Sequence, residues 1–489
     1  MKNKVLFCVL DGFGYGPDYE GNAIRRANTP FLDKLWAERP WTLLDASGES
    51  VGIPAGTQGG SEVGHLTMGA GRIVLQPLQM IDKSIETGEF YKKKELLEAA
   101  EYAKANNVNF HILGMISDQG IHADIDHALA LLEFADQQGL EKVYIHGITD
   151  GRDVPPKSAT PFVKQVESHL ASLIGRFYAM DRDNNPERTQ KAYDLIVNGK
   201  GEKADSGVDA IQSAYDGGLE SDYYLEPVIL DESGVIKPED VVVFFNFRTD
   251  RAQQLTAKLI DELGVRMVVF GAYTEKAPNV FPPQSVEQNI GSVIAGHGLK
   301  QLRIAETEKF PHVTFFFNSQ DKEPYEGEDR IMVSSPKVAS YKDSPEMSAD
   351  EITEKLLVAM DEDYSFIVLN FANLDLVGHS GNYDAAVKAV EKIDECLEKI
   401  VTKALESGYT SLITGDHGNA EYMKYEDGSD CPSHTRNPVP LIMVSNEPFA
   451  FKNPLHEEAA GGLQDLAPSI LHIMGYEKPE VMTGHDLVA

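Results

Sequence analysis

The chain carries only three cysteines in 489 residues, Cys8, Cys396 and Cys431. They are too few and too scattered for a disulfide framework. Long apolar runs are also missing. None approaches the roughly 20 residues that span a bilayer. The run after Met1-Lys2-Asn3-Lys4 stops at Asp11, so no export signal is expected. Free thiols without an export signal point to the cytoplasm. Positive charge is scarce, with 44 Lys and Arg against 77 Asp and Glu and a net charge of −33. That balance works against nucleic acid and anionic membranes as partners, because both would be repelled. It is compatible with a monomer acting on a small molecule. An anionic substrate would then need a local island of arginine and lysine. Internal repeats and low-complexity linkers are absent.

What remains is an ordinary globular composition, 42% hydrophobic and 25% charged. At this length two large domains are expected. Short apolar runs alternate with helical periodicity. Val5–Leu10, Phe110–Ile116, Val143–Ile148, Val241–Phe247, Met267–Phe270, Val313–Phe317, Phe366–Phe371 and Thr410–Ile413 read as buried strands. Ile125–Gln138, Thr160–Leu173, Arg251–Leu263 and Ala385–Leu405 read as helices. The alternation predicts an α/β fold with mostly parallel sheets.

The richest segment is Thr414-Gly415-Asp416-His417-Gly418-Asn419-Ala420-Glu421, where an apolar run opens into a glycine-rich loop. Strand ends of this kind are where α/β proteins place their chemistry. Asp375 and His379 follow a second apolar run, and His434 precedes Asn437-Pro438-Val439-Pro440. Asp11 ends the first strand, in Asp11-Gly12-Phe13-Gly14. This Asp/His set has the hard and borderline character of a divalent-metal site, although Asp11 alone is as well read as a turn-capping carboxylate. Ser61 lies in a glycine-rich turn before Glu62-Val63-Gly64-His65. It would stand at a helix N-terminus, where phosphate is favoured, or serve as an ordinary cap. Candidate metal ligands occur at both ends of the chain and arginine-rich loops in the middle. We therefore expect one discontinuous metal domain, 1–75 with 309–489, and an inserted domain, 76–308.

These motifs occur in order with Asp150-Gly151-Arg152-Asp153, Phe247-Arg248-Thr249-Asp250-Arg251, Lys309 before His312-Val313-Thr314-Phe315-Phe316-Phe317-Asn318, and His434-Thr435-Arg436-Asn437-Pro438-Val439-Pro440. Together they resemble the 2,3-bisphosphoglycerate-independent phosphoglycerate mutases of the alkaline phosphatase superfamily, essentially end to end. The resemblance implies an alkaline-phosphatase-like metal domain with a mostly parallel central sheet and an inserted α/β transferase domain. It implies that Asp375, His379 and His434 hold one metal ion, and Asp11, Ser61, Asp416 and His417 a second. The resemblance implies that the ions are Mn²⁺, and the set has no thiolate to favour zinc; Cys431 is read as a bystander. Arg152, Arg176, Arg182, Arg248, Arg251 and Lys309, with His122 and Asp153, match substrate-binding positions. Guanidinium forks suit the phosphate and carboxylate of 3-phosphoglycerate. The implied reaction interconverts 3- and 2-phosphoglycerate in glycolysis and gluconeogenesis without a 2,3-bisphosphoglycerate cofactor. Ser61 carries the phosphoryl group, and Asp153 is the acid and base. Closure of one domain over the other would exclude water.

Some residues depart from the family pattern. Thr67-Met68 stands for the common Asn-Ile, Thr57-Gln58-Gly59-Gly60 for Gln-Met-Gly-Asn, Arg436 for a second Thr, and Ser319-Gln320 for a glycine pair. Asn184 to Glu187 also differs from the usual residues there. None removes a ligand or the nucleophile. The rival readings are a phosphohydrolase or phosphopentomutase of the same superfamily, and a silent phosphate-binding protein. The arginine loops argue against the first and retention of Ser61 against the second.

Overall fold

Val5, Phe7 and Val9 face one side of the strand Lys4–Leu10, while Leu6, Cys8 and Leu10 face the other, and all six are fully buried. A strand apolar on both faces must be central and covered by helices on both sides. The computed structural model describes residues 3–284, 286–454 and 456–489. The chain divides into two compact units, one running to Leu75 and resuming at 286, the other covering Gln76–Gln284.

In the first unit Lys4–Leu10 pairs in parallel with Phe366–Phe371 on one side and Tyr409–Thr414 on the other. The sheet continues outward through Gln301–Glu306 to Glu328–Val333 at one edge. At the other it runs through Val439–Val444, Trp41–Asp45 and Gly461–Gly462. The helix Tyr383–Glu406 covers one face. Its Ala386, Val390, Ile393, Leu397, Ile400 and Ala404 recur at helical spacing on the buried side. Asn382 caps it by accepting from Ala385 N at 2.9 Å.

The second unit has its own sheet, ordered Glu202–Lys203, Val228–Ile229, Leu170–Gly175, Val143–Thr149, Phe110–Met115, Val241–Phe244, Arg266–Val269. All pairs are parallel except Leu170–Gly175 with Val228–Ile229. The expected α/β class is what both units show. Among the described residues no helix is long and apolar enough to cross a membrane.

Three expectations are corrected. The chain re-enters the first unit well before residue 309, since Ile290–Gly296 and Gln301–Glu306 belong to it. Gln301, Arg303 and Glu306 are fully buried in that strand, so its polar residues masked an interior element. Val313–Phe317 is not a strand. His312–Phe316 forms a π-helical turn in which Phe317 N donates to His312 O at 3.0 Å. Its β-branched and aromatic residues mimic a strand because two of them, Val313 and Phe317, pack in the core. Thr160–Leu173 is not one helix. It ends at Val166, and Leu170–Gly175 is a buried strand beside Val143–Thr149.

Candidate active site

In the first unit, the three central parallel strands end together at one edge of the sheet, with Leu10 in register with Phe371 and Val9 with Thr414. The residues that follow, Asp11, Asp375 with His379, and Asp416 with His417, are thereby collected by topology alone. Gly12 turns the chain immediately after Asp11. It has φ +81°, and a Cβ there would lie 2.9 Å from Asp375 N. Its N–H donates to Asp416 Oδ1 at 3.1 Å.

Ser61 opens the helix Ser61–Ala70 and is buried against this edge. Its hydroxyl donates to Asp11 Oδ1 at 3.0 Å and lies 3.1 Å from His417 Nε2. Lys309 Nζ donates to Ser61 Oγ at 2.7 Å, Asp11 Oδ1 at 2.8 Å and Asp375 Oδ2 at 2.6 Å. The resemblance places Lys309 among substrate-binding residues; in this structure its ammonium is the internal counter-cation of the carboxylates. Burial alone would lower its pKa, but Asp11, Asp375 and Asp416 outweigh it and hold the ammonium above its ordinary value. His417 follows the same logic. Burial opposes its charge, yet Asp416 and Asp11 push it up to about 10. Burial would raise both Asp11 and Asp375, but Lys309 keeps each well below the usual carboxylate range.

His379 and His434 show what this site is built to hold. His379 Nδ1 donates to Pro432 O at 2.8 Å, and His434 Nδ1 to Gly59 O at 2.8 Å. Each ring therefore turns its Nε2 toward Asp375 Oδ1, at 3.2 Å and 3.0 Å, and the two Nε2 atoms lie 3.0 Å apart. Three acceptors converging on one point fit a cation, and carbonyl-anchored imidazoles are the usual support of metal-ligating histidine. Beside them the buried Asp416 Oδ2 has no hydrogen-bond partner among the described residues. Donor atoms of Asp375, His417 and His434 form one group spanning at most 4.8 Å, and those of Asp11, His65 and Asp416 another.

His65 is the residue that sequence reasoning missed. It lies four residues from Ser61 on the same helix face. Its Nδ1 donates to Ser61 O at 2.9 Å and its Nε2 accepts from Asn370 Nδ2 at 3.1 Å. Asn370 in turn donates to Asp11 Oδ2 at 2.8 Å. With both nitrogens occupied, His65 braces the carboxylates. The Cys431 thiol, buried, lies 4.0 Å from Ser433 O.

In the second unit the anion-binding candidates likewise follow strand ends. Asp150–Asp153 succeeds Val143–Thr149, Arg176 succeeds Leu170–Gly175, and Arg248 and Arg251 succeed Val241–Phe244. Arg176 is 1% exposed and spent on carboxylates: its Nη1 donates to Asp150 Oδ1 and Asp153 Oδ2 at 2.5 and 2.6 Å. Its Nη2 donates to His122 Nε2 at 3.0 Å. Burial and Arg176 lower His122 to about 4, so its ring is neutral with the proton on Nδ1. Burial works to raise Asp153, but Arg176 dominates and lowers it. Arg251 is nearly buried and donates to Met180 O at 3.1 Å. Arg182 and Arg248 are exposed and share Asp250, at 3.3 and 3.1 Å, while the Arg152 side chain is exposed. Five arginines and His122 thus line one edge of one sheet.

A family model described as the Metalloenzyme superfamily matches residues 3–478. The chain is 45% identical over 518 residues to a 2,3-bisphosphoglycerate-independent phosphoglycerate mutase of Clostridioides difficile strain 630, covering 100% of both. It is 46% identical over 513 residues to the protein of that name from Moorella thermoacetica, covering 100% of this chain and 99% of that one. A crystal structure of Leishmania mexicana phosphoglycerate mutase at low cobalt concentration is 28% identical, with a TM-score of 0.64, and covers 100% of this chain and 98% of that one. The chain belongs to the 2,3-bisphosphoglycerate-independent phosphoglycerate mutases, isomerases of the Metalloenzyme superfamily.

Proposed function

We propose that the chain interconverts 3-phosphoglycerate and 2-phosphoglycerate through a phosphoserine on Ser61, without 2,3-bisphosphoglycerate. The observation that carries this reading is the Ser61 hydroxyl, set at a helix N-terminus among Lys309, Asp11 and His417. Asp375, His379 and His434 would hold one divalent ion, and Asp11, Ser61, Asp416 and His417 the other, with Mn²⁺ favoured by a set of oxygen and nitrogen donors. Such ions supply neutralising charge to phosphoryl oxygens and acidify the serine hydroxyl.

The chain's own groups do the rest. Ser61 Oγ attacks phosphorus; the new P–O bond forms as the bond to the substrate oxygen breaks. The Ser61 hydroxyl gives its proton to solvent, Lys309 stabilises the resulting oxygen, and the substrate oxygen that leaves takes a proton from Asp153. Arg152, Arg182, Arg248 and Arg251 hold the glycerate while it exchanges hydroxyls, and Arg176 orients Asp153. In the free chain Asp153 is ionised, which suits the base that activates the returning hydroxyl. A bound phosphate and carboxylate add negative charge beside it and raise its pKa, which suits the acid of the first step. We extend the proposal to a protein without nucleic-acid or membrane partners, on the strength of its −33 charge, which is also compatible with a monomer, and to a cytoplasmic location, which the free thiols favour.

The test is to supply 3-phosphoglycerate labelled with ³²P and Mn²⁺, then follow the label. Label on Ser61 and in 2-phosphoglycerate is expected. Release as inorganic phosphate would make the protein a hydrolase instead.

A further inference from the structure

Glu421 is fully buried, and its carboxyl group is met by neutral donors from two loops. Its Oε2 accepts from Asn419 N at 2.8 Å. Its Oε1 accepts from Asn437 Nδ2 at 3.0 Å and from the Thr435 hydroxyl. The backbone at Gly14 runs directly over the same group: a Cβ there would fall 2.2 Å from Glu421 Cδ. Thr435 N donates to Gly418 O at 2.9 Å, closing the second and third loops on each other. One carboxyl group therefore sits where three loops meet. The first carries Asp11, the second Asp416 and His417, the third His434.

Burying a carboxyl group among neutral donors is costly, and an apolar side chain would fill the same space without that cost. The group is satisfied only when the second and third loops keep their spacing, and the first is held against it by close packing at Gly14. We propose that Glu421 is a positioning residue that fixes the separation of the ion-holding loops and so sets their affinity for divalent cations. It acts through those loops, and the inference rests on the reading that they hold ions.

The experiment is Mn²⁺ titration of the full-length chain by calorimetry, beside thermal unfolding in chelator. Glu421→Ala removes the carboxyl group. Gly14→Ala displaces it without removing a polar partner, and the backbone there needs no left-handed conformation. Thr435→Val and Thr435→Ser separate loss of the hydroxyl from change of size. Glu421→Ala, Gly14→Ala and Thr435→Val should weaken Mn²⁺ binding by about 10- to 100-fold, the usual effect of losing an outer partner of a metal site. Thr435→Ser should restore it. Folded variants with wild-type affinity, differing only in melting temperature, would overturn the inference. If Glu421→Ala fails to fold, Gly14→Ala and the Thr435 pair decide. A wild-type chain that binds no Mn²⁺ would overturn the ion-holding reading itself, and this inference with it.

Discussion

Lys309 Nζ donates to Ser61 Oγ at 2.7 Å, and the same ammonium also touches Asp11 and Asp375. One buried cation thus contacts both the proposed nucleophile and two of the proposed ion ligands. Lys309→Met removes the cation that touches both of those carboxylates most closely and leaves chiefly His417 to offset them. The ion-free protein should lose about 3–5 kcal/mol, the usual cost of removing one partner of a buried pair. Saturating Mn²⁺ should recover much of that loss. Urea unfolding of both proteins, with chelator and with Mn²⁺, reads the difference. An equal loss in both conditions would count against Lys309 as the counter-cation.

Ser61→Ala should abolish isomerisation, by about 10³-fold or more, because it removes the hydroxyl that meets Asp11, His417 and Lys309. Asp11 and His417 remain in place, so the fold and much of the ion affinity should survive. Steady-state assay and circular dichroism check the two halves. Substantial residual turnover in a folded variant would exclude the covalent route.

Ion binding should release protons. His417 is held up to about 10 by Asp416 and Asp11, so at pH 8 it is charged in the ion-free chain. It must lose that proton to act as a ligand. Calorimetric titration with Mn²⁺ in two buffers of different ionisation enthalpy should show release of at least about one proton per chain, with any further release coming from Ser61 and His379. Binding enthalpies independent of buffer would contradict His417 as a ligand.

The gathering of the acidic residues was legible because buried strands such as Lys4–Leu10, Phe366–Phe371 and Tyr409–Thr414 end in sharp changes from apolar to acidic. Parallel topology then brings Asp11, Asp375 and Asp416 together without further information. Pairings between distant residues were not legible. Arg176 reads as a free fork until the fold places it on Asp150 and Asp153. Lys309 reads as one more substrate cation until it meets Asp11. His65 and Glu421 lay inside recognised motifs, yet their partners, Asn370 and Asn437, are far along the chain. The strand Gln301–Glu306 was hidden by the buried Arg303, whose guanidinium lies over Phe317 and Phe366.

Acid should destabilise the second unit through a polar ladder across its sheet. Ser172, His146, His111 and Asp240 come from four adjacent chain segments. Asp240 accepts from His111 Nε2 at 3.2 Å, so His111 Nδ1 must accept from His146 Nε2 at 3.1 Å. His146 Nδ1 then accepts from the Ser172 hydroxyl at 2.8 Å. Both rings are neutral in this chain of bonds, and burial lowers both pKa values. Below pH 6.5 the unfolded chain takes up protons that the folded chain refuses, so stability falls with pH and levels off below the folded values. Each histidine contributes a slope of up to about 1.4 kcal/mol per pH unit. His122 and His312, also lowered, act in the same sense; His379 and His417, raised, act in the opposite one. The ladder is therefore isolated by comparing the wild type with His146→Gln in chelator, by urea unfolding from pH 7 to pH 5. The variant should be less stable at pH 7 and less sensitive to acid. Parallel stability curves would show that the ladder does not carry the response.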